Sequence, residues 1–126
     1  MIGGVGVDIV DVERLRVALG RTAGFAEMVF SDHERQSTES LPRPARRLAA
    51  MFAAKEAFLK AVGIGLWRGV PLRQIEVVRD GTGRDSRFRL GPLAEKALRD
   101  RGCTVAELSL SHQRNTAIAM VSVHGC

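Results

Sequence analysis

Residues 51–65 read MFAAKEAFLKAVGIG, and the folding of this stretch decides how the rest of the chain is arranged. A run rich in Ala, Phe, Leu and Met up to Val62 is a helix, and Gly63 and Gly65 stop it. Three charges interrupt it: Lys55, Glu56 and Lys60. At 100° per residue, Glu56 and Lys60 share a face with Ala49, Phe52, Ala53, Leu59 and Gly63, and the opposite side carries Ala54, Ala57, Phe58 and Ala61. Neither side is made for water. A helix apolar nearly all round belongs in an interior, where a carboxylate and an ammonium persist only if paired or bound to something. The alternative is a solvated Glu56–Lys60 pair at i,i+4, worth about 0.2–0.5 kcal/mol.

Upstream, the helix is expected to begin near Ala45 and to carry Arg46 and Arg47, after a surface loop QSTESLPRP at 36–44 in which Pro42 and Pro44 oppose helix geometry. Before it, IGGVGVDIV at 2–10 alternates as a strand whose Val5, Val7 and Ile9 are expected to face the core, with Asp8 on the other face near the strand's end. Asp is depleted from strands, so Asp8 wants a reason, and Asp11 is the better N-cap. A helix Val12–Leu19 follows, ended by Gly20, then a short helix Phe25–Phe30. Arg14, Ala18, Arg21 and Phe25 recur at three- and four-residue spacing, a partly basic stripe with one aromatic. Ser31 and Glu34 form a capping-box pattern.

Downstream, Pro71 keeps the connection extended, and Gln74–Arg79 and Ser86–Leu90 pair as a hairpin through the turn Asp80–Asp85. A helix opens at Gly91 and Pro92 and closes at Gly102. Cys103–Leu110 and Asn115–His124 make a second hairpin joined by SHQRN, which puts His112 in a tight turn. Clustered hairpins without repeated βα units predict an α+β fold with a mainly antiparallel sheet, in one domain spanning 1–126.

The chain has 126 residues, 45% hydrophobic, with 19 Lys and Arg against 14 Asp and Glu. This excess of positive charge favours an acidic partner. With no Tyr and one Trp there is little on which bases could stack, so nucleic acid is not expected as a partner. No apolar run approaches the roughly 20 residues that span a bilayer and no secretory leader is legible, so a cytoplasmic protein without membrane contact is expected. Cys103 and Cys126 lack metal-like spacing and are expected to be free thiols.

Asp8, Glu56 with Lys60, and His112 then call for one explanation. Two carboxylates from different elements, with few soft ligands nearby, suit a hard cation such as Mg²⁺, which is commonly shared with substrate phosphates, and nearby Lys and Arg would hold the remaining phosphate charge. Neither a Walker-type glycine loop nor a Ser-His-Asp order is present.

These residues resemble a known family, the holo-acyl-carrier-protein synthases, the small bacterial type of 4′-phosphopantetheinyl transferase. The likeness rests on GVGVDIVDVERL at 4–15 with Gly3 before it, FAAKEAFLKAVGIG at 52–65 and LSLSH at 108–112, so it spans essentially the whole chain. It implies an antiparallel sheet wrapped around a long central helix. It also implies transfer of the phosphopantetheine arm of coenzyme A to a serine of an apo acyl carrier protein, with release of adenosine 3′,5′-bisphosphate. By the same likeness Asp8 and Glu56 would hold Mg²⁺, and Lys60 would sit by the pyrophosphate and the incoming serine. Arg46, Arg47, Phe52, Gly63, Gly65, Ser111 and His112 would contact the coenzyme, and Arg14, Arg21 and Phe25 would receive the carrier protein. The family is typically a homotrimer with sites between subunits, serving lipid metabolism and fatty acid biosynthesis. The group that takes the serine proton stays open between a metal-bound water, Glu56 and Lys60. The family commonly has Arg immediately before FAAKEA or WAAKEA, where this chain has Met51, and Arg46 and Arg47 lie about one turn earlier to supply that phosphate contact. Glu13 and Gly24 stand where some relatives are basic, and Gly83, Arg84 and Asp85 replace a usual GKP or GRP. Two other readings are a non-catalytic relative that binds only carrier protein or nucleotide, and a basic nucleic-acid module.

Overall fold

A computed structural model describes residues 1–79 and 85–126. The turn expected over Asp80–Asp85, and with it Gly83 and Arg84, therefore falls outside the described residues except at its last position. The elements run β1 (Ile2–Asp11), α1 (Val12–Arg21), α2 (Phe25–Val29), α3 (Asp32–Thr38), α4 (Pro44–Val62), a 3-10 turn (Leu72–Gln74), β2 (Ile75–Arg79), β3 (Ser86–Leu90), α5 (Pro92–Asp100), β4 (Val105–Gln113) and β5 (Thr116–His124). An antiparallel sheet ordered β1-β5-β4 and an antiparallel β2-β3 hairpin pack around α4, an α+β arrangement as expected.

Helix α4 lies inside because its small residues let neighbours approach: Ala49, Ala53, Ala54, Ala57 and Ala61 are fully buried, as is Phe58. Its first turn starts with Pro44, whose fixed φ suits that position, and Gly63 closes it in the left-handed conformation at φ 78°. Lys55 is also fully buried on this helix. Its Nζ donates to Glu34 Oε1 at 2.7 Å and to the carbonyls of Leu72 and Ile75 at 2.9 Å each, so all three ammonium protons are used. Glu34 is the fourth residue of the expected capping box, which is present: Ser31 N donates to Glu34 Oε1 and Glu34 N to Ser31 Oγ. One carboxylate thus caps α3 and neutralises a cation inside the core.

The expected inward face of β1 is reversed. Val5, Val7 and Ile9 are 54%, 46% and 65% exposed, and Gly6 and Asp8 are the buried positions. The reason is the closeness of α4. A β-carbon at Gly6 would collide with the Ala57 carbonyl and one at Gly4 with that of Ala61, so only glycine fits where strand meets helix, and the valines take the other face.

Other boundaries shift too. Helix α1 continues through Gly20, where a β-carbon would meet open space, and the break falls at Gly24, at φ 79°. Strand β4 starts two residues later than expected and runs three residues further, to Gln113, so His112 is in the ladder opposite Ala117 and not in a turn. The loop is only Arg114 and Asn115, with Arg114 at φ 53°. It is held by the β1–α1 junction: Asp11 Oδ1 caps Arg14 N at 2.9 Å and accepts from Asn115 Nδ2 at 3.0 Å, and Val12 N donates to the Asn115 carbonyl. Asp11 is the N-cap, as its position predicts.

The cysteines are not free thiols: Cys103 and Cys126 form a disulfide. Pairing of Thr104 N with the His124 carbonyl at 2.9 Å brings the start of β4 beside the chain's last residues, and Gly3 leaves room for both sulfurs. Spacing 23 residues apart in sequence carries no trace of that proximity.

Candidate functional site

Helix α4 has one accessible stripe through its middle and end, Phe52, Glu56 and Lys60, each one turn from the next. Where α4 crosses β1, the missing side chain of Gly6 lets the strand come close enough for Asp8 to reach this stripe. Lys60 does not make the solvated pair with Glu56 that spacing alone allows. Its Nζ donates to the Val7 carbonyl at 2.9 Å and to Asp8 Oδ1 at 3.2 Å. Asp8 Oδ2 is buried with no hydrogen-bond partner among the described residues. The Glu56 carboxyl lies against that of Asp8. Burial first, then the close approach and negative charge of the Asp8 carboxylate, push its pKa up to about 7, and Lys60 partly opposes the rise.

Two converging carboxylates and an orphaned buried oxygen are a donor set for a hard, oxygen-seeking cation. Among the described residues no third His, Cys, Asp or Glu joins them, which suits an ion that completes its shell with water and phosphate oxygens.

A second feature lies at the other end of α4. Arg43, Arg46, Arg47, Arg79 and His112 line one cavity of about 310 Å³ together with Leu41, Pro42, Ala50 and Leu110. This brings together Arg46, Arg47 and His112, all expected from sequence, and adds Arg43 and Arg79, which were not. Arg79 ends an ordinary strand and Arg43 precedes a proline, so neither carries a local signal. Arg46 lies ten residues before Glu56, about 15 Å along the helix axis, so a ligand touching both ends of one chain must be extended. Met51 is buried, 2% exposed.

The remaining candidates are dispersed. Gly63 and Gly65 lie beyond Lys60 at the helix's far end. Ser111 is opposite Ile118 and exposed, on the face of the sheet away from His112. Phe52 stacks on Phe25 with ring centroids 6.3 Å apart, so a residue expected at the coenzyme packs on one expected at the carrier protein. Arg14 and Arg21 are exposed on α1, which runs unbroken between them, and exposed Met28 follows Phe25 by three residues on α2.

Comparison with known proteins identifies the family of the chain. The model of the 4′-phosphopantetheinyl transferase superfamily matches residues 4–119. The holo-[acyl-carrier-protein] synthase of Syntrophus aciditrophicus is 40% identical over 126 residues, covering 99% of this chain and 98% of its own. The crystal structure of the synthase from Neisseria meningitidis superposes with a TM-score of 0.87 at 35% identity, covering 98% of this chain and 99% of the other. That from Bacillus anthracis, in complex with CoA (3′,5′-ADP), gives 0.82 at 30% identity, covering 100% and 99%. With matches along nearly the whole length, in sequence and in fold, the chain belongs to the 4′-phosphopantetheinyl transferase superfamily, among its holo-[acyl-carrier-protein] synthases.

Proposed function

We propose that this chain transfers 4′-phosphopantetheine from coenzyme A to a serine of an apo acyl carrier protein, with Mg²⁺, releasing adenosine 3′,5′-bisphosphate. The observation that carries this reading is the convergence of Asp8, with its unpartnered buried oxygen, and Glu56 beside Lys60. Asp8 and Glu56 are the residues to hold Mg²⁺, which when bound supplies positive charge against the pyrophosphate. Lys60 adds a fixed cation, already oriented by the Val7 carbonyl, where negative charge grows on the departing phosphate oxygen. The serine oxygen forms a bond to the phosphorus bearing the pantetheine arm as the bridging bond to the second phosphate breaks. Of this chain's own residues Glu56, as carboxylate, would take the serine proton, and Mg²⁺ held by Asp8 and Glu56 would lower the pKa of a water that could serve in its place. Arg46, Arg47 and His112 hold the nucleotide end, with Phe52, Gly63, Gly65 and Ser111 as further coenzyme contacts.

Arg14 and Arg21, with Phe25 as apolar anchor, receive an acidic helix of the carrier protein, which the chain's positive balance would steer toward it. The single domain is read as a cytoplasmic homotrimer serving fatty acid biosynthesis. Support for assembly comes from the outer sheet face, where Val5, Val7, Ile9, Ile118 and Met120 are exposed together, an apolar surface that a second copy would cover. No described helix is long and apolar enough to cross a membrane.

The test is to incubate the chain with coenzyme A, Mg²⁺ and an apo carrier protein and to weigh the carrier. A gain of one phosphopantetheine that disappears with chelator is expected. No gain with any carrier tried would favour a chain that only binds.

A further inference from the structure

We propose that Lys55 is a positioning residue for the metal-binding pair: anchored to Glu34 on the side of α4 turned away from β1, it sets the rotation of the helix at which Glu56 meets Asp8. This rests on the function proposed above and concerns how its two carboxylates are aligned.

A fully enclosed ion pair is a poor device for stability. The side chains of Lys55 and Glu34 are both 0% exposed, with Nζ 2.7 Å from Oε1. Burial is the largest influence on Lys55 and lowers its pKa, opposed by the charge and then the hydrogen bond of Glu34. Taking two charges out of water costs about as much as their attraction returns, so a well-packed apolar pair of similar size would hold the fold as well. An apolar pair would lack direction. Lys55 Nζ also donates to the carbonyls of Leu72 and Ile75 at 2.9 Å each, and Glu34 Oε2 accepts from Val77 N at 2.9 Å. These bonds tie α4 to α3, to the 3-10 turn and to β2 at fixed angles.

Helix α4 needs such an anchor because its contact with β1 is smooth. Gly6 and Gly4 lie against the carbonyls of Ala57 and Ala61, backbone on backbone, with no side chain to interlock. Lys55 and Ala57 project about 160° apart around the helix, so the anchor is on the side opposite that contact. Met51, Phe58 and Leu59 are buried on α4 as well, but apolar contacts are without direction. Lys60 also reaches β1, yet its side chain is 55% exposed and is the cation offered to the phosphates, so it is no permanent anchor. Glu56 follows Lys55 directly in the chain. A slip of one residue in the register of α4 turns Glu56 by about 100° and moves it about 1.5 Å along the axis, which takes its carboxylate away from Asp8.

Three variants separate positioning from stability: Glu34→Gln, Lys55→Met, and the two together. Each is compared with the wild type in urea unfolding, in steady-state transfer from coenzyme A to an apo carrier protein, and in the rise of melting temperature that Mg²⁺ produces without substrates. In Glu34→Gln the amide oxygen still accepts from Lys55, so kcat and the half-saturating Mg²⁺ should stay within about threefold of wild type although stability falls. In both chains with Lys55→Met the Mg²⁺ needed for half the thermal shift should rise about tenfold and kcat should fall about tenfold or more, with KM for the carrier within about twofold. The double variant should show this full loss while being more stable than Lys55→Met alone. Function that recovers in step with stability, a double variant with wild-type kcat and Mg²⁺ response, or a Glu34→Gln chain as impaired as Lys55→Met would overturn the proposal. A double variant that does not fold would make the pair a device for stability and overturn it likewise. If Lys55→Met alone does not fold, the double variant against wild type decides. A wild type that modifies no carrier removes the function itself, and normal transfer by wild type and double variant alike removes only the role of Lys55.

Discussion

Lys60 on α4 binds β1 at two adjacent residues, the carbonyl of Val7 and Oδ1 of Asp8, and so clasps together the two elements that carry the carboxylates. One oxygen of Asp8 is thereby occupied, and the other is left buried and unpartnered beside Glu56.

The pH dependence of stability follows from that pairing. Glu56 titrates near 7 when folded against an ordinary 4.5, so between these values the folded chain binds more protons than the unfolded one. Its contribution is complete below about 4.5 and is lost as pH rises through 7. Without divalent cation, urea unfolding should show a loss of about 1–2 kcal/mol across that window, after discounting for solvent screening at this half-exposed group. Asp8→Asn should flatten the slope, because the second cause of the shift is removed, and should lower turnover by at least about a hundredfold. Added Mg²⁺ should stabilise the wild type more at pH 7.5 than at pH 5, since protons compete for the same oxygens. A slope of opposite sign, or an active Asp8→Asn, would remove the metal assignment.

Breaking the interior pair should be far more costly than any surface pair. Lys55→Met leaves Glu34 buried beside Ser31 N and Val77 N without its cation, and a loss of about 3–5 kcal/mol is expected in chemical denaturation. The double variant Glu34→Gln with Lys55→Met should recover part of it. A single variant within about 1 kcal/mol of wild type would show that the core solvates this charge in another way.

Two glycines should respond in opposite directions. Gly6→Ala forces a β-carbon against the Ala57 carbonyl, so it should cost about 2–3 kcal/mol and, by pushing β1 from α4, separate Asp8 from Glu56 and reduce turnover. Gly20→Ala places a methyl in open space within α1 and should stabilise by about 0.5–1 kcal/mol with turnover unchanged. Thermal melts of the two variants read the contrast.

The outer sheet face gives a test of assembly. Met120→Glu puts a charge among Val5, Val7, Ile9 and Ile118. Sedimentation should show the wild type as a trimer and this variant as a monomer with much reduced transfer, given a site shared between subunits. A monomeric, fully active wild type would contradict that arrangement.

The sequence by itself determined the elements and their order. Alternation marks β1 and β5, Pro44 and Gly63 bound α4, Ser31 with Glu34 opens α3, and Asp11 caps α1, because caps, turns and periodicity are local properties of the chain. It also singled out Asp8, Glu56 and Lys60, whose charges conflict with their surroundings. Only the tertiary structure decided which way β1 faces, since a period of two is the same from either side and the choice was made by the contact of Gly4 and Gly6 with α4. The same holds for the partner of Lys55, the bond between Cys103 and Cys126, and the sharing of one cavity by Arg47 and Arg79. Each joins residues distant in sequence, and no pattern along the chain records a distance that folding creates. For the helix at 51–62, composition placed it in the interior, and the approach of β1 left open the one stripe on which Glu56 and Lys60 meet Asp8.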